Sequence, residues 1–143
     1  MVTIDPATSE LDESTSETSG LDASTYELDP YQAGCPTRRV LDRIGDRWTV
    51  LVVGTLDDGP RRFSEIRRVV DGISQKMLTQ TLRGLERDGL VSRTVYAEVP
   101  PRVEYELTEA GQTLRAPLKA LERWSIEHFG DVSDSQREYD SRA

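Results

Sequence analysis

The sequence predicts a mainly helical α+β fold, and three observations support this. Residues 73–90 hold the clearest helical pattern, in which Leu78, Leu82 and Leu85 fall at i, i+4 and i+7. After Gly89 the apolar residues alternate with polar ones, which indicates β-strands. Further helical patterns lie on both sides of this region. The 143 residues are enough for one domain with a modest core.

Three more helices are predicted before this pattern. The first begins at Cys35-Pro36, because proline suits a first helical turn, and it ends at Gly45. The second follows Asp46, and the third begins with Ser64 as its N-cap. The first helix is predicted to have an apolar side formed by Val40, Leu41 and Ile44. The core-facing residues are predicted to be Trp48, Leu51, Val52 and Leu56 in the second helix and Ile66, Val69 and Val70 in the third.

The third and fourth helices are predicted to form a helix-turn-helix. Asp71-Gly72 separates them, Ser74 caps the fourth helix, and Gly89 ends it. Two short helices joined by a tight turn that contains glycine are typical of this motif. The following strands are interrupted by Pro100-Pro101, which predicts a β-hairpin. A hairpin in this position indicates a winged helix-turn-helix with a two-stranded wing.

A last helix is predicted from about residue 109 to residue 128. Thr108 caps it, and Pro117 kinks or divides it. A small winged domain has little core left to cover this helix, so its apolar stripe packs on the first helix or on a second copy of the chain. Two-fold symmetric DNA sites favour dimeric readers, and a homodimer is therefore the preferred interpretation. The candidate dimerisation residues are Leu114, Leu118, Leu121 and Trp124.

Charge is distributed unevenly along this acidic chain. The net charge is −8, but residues 1–34 hold eight acidic residues and no lysine or arginine. Residues 61–102 hold nine basic and five acidic residues, an excess that favours a nucleic-acid partner. We predict a disordered acidic tail over 1–34, a folded domain over 35–130 and a polar C-terminal tail over 131–143.

The fourth helix carries hydrogen-bond donors on the face opposite its leucines. Glutamine and arginine can pair with base edges, and lysine and arginine can neutralise phosphates. Arg62 precedes the third helix, and Arg102 lies at the wing tip, where it reaches a minor groove or a phosphate. The candidate DNA-binding residues are Arg62, Ser74, Gln75, Lys76, Thr79, Gln80, Arg83 and Arg102. The alternatives are a solvated helix face and a winged domain that binds proteins.

Other classes of protein are disfavoured by the sequence. No apolar run approaches the roughly 20 residues of a membrane span, and no signal peptide is visible, so we expect a cytoplasmic protein without a membrane partner. His128 is the sole histidine and has no metal-ligand partner at a useful spacing. A glycine-rich phosphate loop of the Walker type is absent. We therefore expect neither an enzyme nor a cofactor nor a metal site.

Several motifs occur together in a recognisable order. They are CP, VLDRIGDRWTVLVV, RFSEI, KMLT, LERDGL and VPPRVEY followed by LTEAG. Over about residues 35–129 the chain resembles the HxlR-type winged helix-turn-helix transcriptional regulators. The resemblance implies a homodimer, joined through N- and C-terminal helices, that binds double-stranded operator DNA. It also implies that helix 74–87 reads the major groove and that wing 96–103 contacts the adjacent groove or backbone.

Cys35 is the only cysteine, so it has no partner for an intrachain disulfide. We expect it at a helix N-terminus with Arg38 and Arg39 in the same turn, and both features favour a thiolate. The resemblance places Cys35 at a cysteine that senses oxidants in some members of the family. One hypothesis is therefore a regulator that responds to oxidants or electrophiles. The alternatives are a structural thiol and a regulator whose effector is a small molecule bound at the dimer interface.

Overall fold

The computed structural model describes residues 28–142. The predicted acidic tail covers 1–34, and its residues 1–27 lie outside the described part of the chain. Contacts divide the described residues into two units, with the division after Asp42. In the first unit, the backbone N–H of Cys35 donates to the carbonyl of Gln32 at 3.1 Å, so turns lead directly into the first helix.

The described residues form seven helices and three short strands. In chain order they are α1 Thr37–Gly45, α2 Arg47–Thr55, β1 Arg61–Arg62, α3 Phe63–Val69, α4 Gln75–Arg87, β2 Val91–Tyr96, β3 Arg102–Leu107, α5 Glu109–Gln112, α6 Arg115–Glu127 and α7 Phe129–Ser141. None of these helices is long and apolar enough to cross a membrane.

Side-chain caps explain where several helices begin. The Asp46 carboxylate accepts a hydrogen bond from a backbone N–H at the start of α2, at 3.2 Å. The hydroxyls of Ser74 and Thr108 do the same for α4 and α5, at 3.0 and 3.1 Å. The predicted caps at Ser74 and Thr108 are confirmed.

The predicted N-cap of α3 is wrong. The helix begins at Phe63, so the N-cap position belongs to Arg62 and not to Ser64. The physical reason is a carboxylate one turn later: Glu65 accepts the backbone N–H of Arg62 at 2.8 Å. This interaction satisfies a free donor at the helix end without a capping hydroxyl.

Two predicted core positions are also wrong. Leu51 is 45% exposed and Val69 is 58% exposed. The buried stripe of α2 also contains Thr49 and Val53, neither of which was predicted, and a polar threonine carries no apolar signal in the sequence. The complete stripe, at i, i+3, i+4 and i+7, is Thr49, Val52, Val53 and Leu56.

The sheet has three antiparallel strands in the order β1-β3-β2. In the hairpin, Val91 pairs with Leu107 and Tyr96 pairs with Arg102, which confirms the predicted two-stranded wing. The third strand, β1, was not predicted, because two residues are too short to show alternation.

The hydrophobic core lies between α2, α4, α6 and the sheet. Helix α2 packs against both α4 and α6, while α4 also packs against β2. The buried apolar residues are Val52, Val53, Leu56, Ile66, Val70, Ile73, Leu78, Leu82, Leu85, Val91, Leu107 and Leu118. This core fixes the fourth helix by its leucine face and leaves its polar face outside.

The predicted last helix is divided, as Pro117 suggested, but the division lies before the proline. Helix α5 ends at Gln112 and α6 begins at Arg115, which puts Pro117 in the first turn of α6. Backbone N–H groups there have no partner within the helix, so proline removes no helical bond. Beyond α6, most of the expected polar tail over 131–143 is helical, since α7 covers Phe129–Ser141.

Candidate nucleic-acid interface

A short turn sets the position of α4 relative to α3. Gly72 has a φ of +90°, a backbone conformation that favours glycine. The next residue, Ile73, is buried in the core and anchors the turn, and Ser74 then caps α4. The helix-turn-helix is therefore held by one glycine conformation, one apolar anchor and one capping hydroxyl.

Helix α4 has one buried and one exposed face. Its 13 residues span about 20 Å, a length suited to a major groove. The buried face consists of Leu78, Thr81, Leu82 and Leu85. The exposed face carries Gln75, Lys76, Gln80, Arg83 and Arg87, with half-buried Thr79 beside them. Five of the predicted DNA-binding residues are thus brought together on the α4 helix, next to the capping Ser74.

Arg102 is placed differently from the prediction. It is the first residue of β3, and its guanidinium pairs with Glu98 at 3.1 Å and Glu104 at 3.2 Å. The guanidinium also lies over the ring of Tyr96, 4.0 Å from the ring centroid. These contacts hold the side chain against the wing, so Arg102 must break its ion pairs with both carboxylates before it can contact DNA. The tip itself consists of residues 97–101.

The basic surface also includes two arginines that were not predicted. Arg67 and Arg68 are exposed on α3 and, with Gln75, line a shallow cavity of about 390 Å³. Arg62 is exposed at the start of the same helix. The adjacent arginines at 67 and 68 were a visible signal, because two like charges side by side in a small helix rarely both face a core.

Gly84 leaves room for an arginine beside α4. A Cβ atom at this position would overlap the guanidinium of Arg43. That guanidinium pairs with the carboxylate of Asp88, the C-cap residue of α4, at 2.8 Å. Glycine inside a helix costs about 1 kcal/mol relative to alanine, and the space it leaves lets Arg43 reach the helix end. This ion pair therefore links the C-terminal end of α4 to Arg43, the first residue of the second unit.

Cys35 is half-buried just before α1, and the pKa of its thiol lies below the ordinary cysteine value. The main cause of the lowered pKa is the Thr37 hydroxyl, whose Oγ1 lies 3.0 Å from Sγ. Desolvation and the Asp29 carboxylate act in the opposite direction. The arginines are not the cause, contrary to expectation: the Arg38 guanidinium donates instead to the carbonyls of Pro30 and Tyr31.

Replacing Thr37 with valine is expected to raise the pKa of Cys35. The hydroxyl stabilises the thiolate by donating to it, and valine removes this donor without changing the side-chain shape much. The rate of alkylation by iodoacetamide as a function of pH measures the effect, and its midpoint should move to higher pH. Thr37→Ser keeps the donor and should leave the midpoint in place; an unchanged midpoint in Thr37→Val would contradict the assignment.

The four candidate dimerisation residues fall into two groups. Leu118 is 4% exposed in the core of its own protomer, and Leu114 packs against that core. Both are therefore engaged within the protomer. Leu121 and Trp124 are 58% and 54% exposed, and Trp124 stacks on the ring of His128. Of the four candidates, these last two are exposed, and Ile126 is a further exposed apolar residue on α6.

The described part of the chain offers no metal centre. Within residues 28–142, no three side chains of the histidine, cysteine, aspartate or glutamate type are grouped as metal ligands. The polar groups that the structure does bring together are hydrogen-bond donors on the exposed face of α4.

The chain is similar in sequence and in fold to known proteins. A model of the family described as HxlR-like helix-turn-helix matches residues 43–133. The uncharacterized HTH-type transcriptional regulator YybR of Bacillus subtilis is 45% identical over 108 residues, which cover 76% of this chain and 86% of YybR.

Two solved structures have related folds. The redox regulator HypR in its oxidized form is 45% identical, with a TM-score of 0.61 over 65% of this chain and 96% of HypR. The transcriptional regulator YodB from B. subtilis in its reduced form is 40% identical, with a TM-score of 0.56 over 64% of this chain and 90% of YodB.

Proposed function

The chain belongs to the HxlR-like helix-turn-helix family of transcriptional regulators, which are not enzymes, and on this premise we propose that it reads a specific DNA operator as a homodimer. The observation that carries the proposal is the exposed, donor-rich face of α4, the second helix of the motif. In this proposal α4 enters the major groove, and the wing between β2 and β3 lies on the adjacent groove or backbone.

The roles of the α4 residues follow from their chemistry. Gln80 and Arg83 are proposed to contact base edges, since their side chains can form paired hydrogen bonds with adenine and guanine. Lys76 is proposed to neutralise a phosphate, as are Arg62 and the arginines on α3. The acidic balance of the whole chain does not oppose this, because eight of its acidic residues lie in residues 1–34.

Dimerisation is proposed to use exposed apolar side chains, which occur separately on α1 of the first unit and on α6 and α7 of the second. Leu121 and Trp124 on α6 are joined by exposed Phe129 on α7, and α1 exposes Val40 and Leu41. An exposed apolar surface of this kind marks a contact with another protein molecule. A symmetric dimer would present two α4 helices to successive major grooves, about 34 Å apart.

Cys35 is proposed to make DNA binding sensitive to oxidation. HypR is described as a redox regulator and has been solved in its oxidized form, and the Cys35 thiol of this chain has a lowered pKa. A lowered pKa gives more thiolate, the form that reacts with oxidants. With diamide as the oxidant, two Cys35 thiols lose two protons and two electrons to form a disulfide, and diamide is reduced to its hydrazine.

Binding to DNA, with and without oxidation, tests the proposed function. Purified protein is titrated onto DNA from upstream of its own gene, and a random-sequence selection supplies the operator if that DNA does not bind. We expect selective binding that weakens as salt rises. The absence of any selected sequence would contradict the proposed function.

The oxidation test uses the same operator. Diamide is expected to change the affinity of the wild-type protein and to leave the Cys35→Ser variant unaffected. Equal responses of the two proteins, or no response in either, would remove the redox part of the proposal while leaving DNA recognition intact.

A further inference from the structure

A groove of about 360 Å³ separates α4 from the sheet. This volume falls in the range of small-molecule sites, about 300–1,000 Å³. Most of its lining comes from Phe63, Thr79, Leu82, Arg83, Arg93 and Tyr105. None of these residues belongs to the apolar surface proposed for dimerisation, so the groove is a separate feature of the protomer.

The helix contributes one continuous stripe to the groove. Thr79, Leu82, Arg83 and Glu86 fall at i, i+3, i+4 and i+7, which places them on one side of α4. Leu82 is buried, whereas Arg83 and Glu86 are exposed. This side of the helix therefore has an apolar base and a charged rim.

The sheet contributes the opposite wall. Arg93 and Tyr105 are partners across β2 and β3, so their side chains emerge on the same face. The pair Val91 and Leu107, two residues nearer the core, lies on that face too and is buried. The sheet thus continues beyond the core, and the groove is the space that remains between this extension and α4.

The charges in the groove favour an anion. Among residues 28–142, no carboxylate lies within 4.0 Å of the guanidinium of Arg83 or Arg93. Glu86 is the single acidic residue in the lining. Arg61 also pairs with Tyr105 in the sheet, but its guanidinium donates to the Thr55 carbonyl. Within the described part of the chain, the guanidinium groups of Arg83 and Arg93 therefore have donors available for a ligand.

We propose that this groove binds a small aromatic carboxylate and that the bound ligand lowers the affinity of the protein for DNA. The carboxylate takes the donors of Arg83 and Arg93, since arginine pairs with carboxylates through two parallel hydrogen bonds. The ligand ring lies against Phe63, Leu82 and Tyr105. The regulatory part rests on the proposed function, because Arg83 is there a base-contacting residue.

The ligand acts on DNA binding in two ways. It holds the Arg83 guanidinium inside the groove, and it places a negative charge beside the DNA-facing side of α4. Both effects oppose the approach of phosphates and bases. We expect the affinity for the operator to fall about tenfold when the groove is filled, the equivalent of one lost arginine contact.

Binding is tested first on the protein without DNA, with benzoate as the probe and ligand-observed NMR as the measurement. We expect a dissociation constant on the order of 1 mM, given the small size of benzoate. Benzamide, which has the same shape and no charge, should not compete. Arg93→Gln should weaken benzoate binding and Glu86→Gln should strengthen it, because the first removes a positive charge and the second a negative one.

The variants Arg93→Gln and Glu86→Gln make the test specific, because under a nonspecific ionic effect the location of a removed charge would not matter for benzoate binding. Arg123→Gln removes an exposed positive charge on α6 and is the matched control, with benzoate affinity expected to equal that of the wild type. Equal binding of benzamide and benzoate, or no benzoate binding at about 10 mM, would overturn the proposed site.

The regulatory part is tested on the operator complex by fluorescence anisotropy. Benzoate should release operator DNA from the wild-type protein, and the Arg93→Gln variant should need a higher concentration for the same release. Benzoate binding without release would overturn the regulatory part. If the protein binds no DNA selectively, the proposed function fails, whereas the NMR measurement still decides whether the groove binds benzoate.

Discussion

Replacing Leu118 with alanine is expected to lower the free energy of unfolding by about 2–5 kcal/mol. The side chain is 4% exposed and lies in the core where α6 packs against α2. Alanine removes buried apolar surface and leaves a cavity that the surrounding helices fill only in part. Urea denaturation followed by circular dichroism measures the loss, which should be similar at every protein concentration.

Leu121→Ala is the matched control, since the same change is made one helical turn later on α6. Leu121 is 58% exposed, so its truncation should change the stability of an isolated protomer by less than about 0.5 kcal/mol. It should instead promote dissociation of the dimer, which light scattering over a dilution series detects. If Leu121→Ala reduced stability as much as Leu118→Ala at all concentrations, the division of the α6 stripe into core and interface residues would be wrong.

This division also shows what the sequence alone was able to predict about α6. The spacing of Leu118, Leu121 and Trp124 correctly predicted that they lie on one helix, whereas Leu114 lies just before its first residue. Periodicity gives the direction of a side chain on its helix, but not which neighbour covers it. Leu118 packs against α2, and this contact joins segments more than sixty residues apart in sequence, so no local pattern specifies it.

The helix-turn-helix and the wing were predicted more completely, because their signals are local. Ser74 and Gly72 act on their own backbone, and the alternation in β2 and β3 needs no distant partner. The strand β1 and the ion pairs of Arg102 were not predicted, because both depend on contacts with residues elsewhere in the sequence. The strand at Arg61–Arg62 exists because β3 lies beside it, and Arg102 is held by Glu98 and Glu104 through the hairpin register.

The pKa of Cys35 also depends on side-chain directions that the sequence does not show. Sequence neighbours suggested that arginines lower the pKa of Cys35, and the lowered pKa is present. The group responsible is a hydroxyl two residues away, because the Arg38 side chain turns back toward Pro30 and Tyr31. A charge close in sequence acts on a thiol only if its side chain is directed there.

Replacing both Gln80 and Arg83 with alanine is expected to abolish selective binding to the operator. A good bidentate contact to a base is worth about 1–3 kcal/mol, so the two substitutions together should weaken binding by roughly 2–6 kcal/mol, or about 30-fold to 10⁴-fold. The fold should survive, since both side chains are exposed and alanine favours helix formation. Fluorescence anisotropy at fixed salt measures the affinity, and a thermal melt checks the fold.

Single substitutions then separate the two kinds of contact. If Arg83 reads a base, Arg83→Ala should weaken binding to the operator much more than to unrelated DNA. If it holds a phosphate, both affinities should fall alike, and the slope of log affinity against log salt should decrease by about one. Arg123→Ala, an exposed arginine on α6, controls for the loss of charge and should have little effect. If the double variant retained selective binding, α4 would not be the reading element, and its polar face would be better explained as a surface for a protein partner.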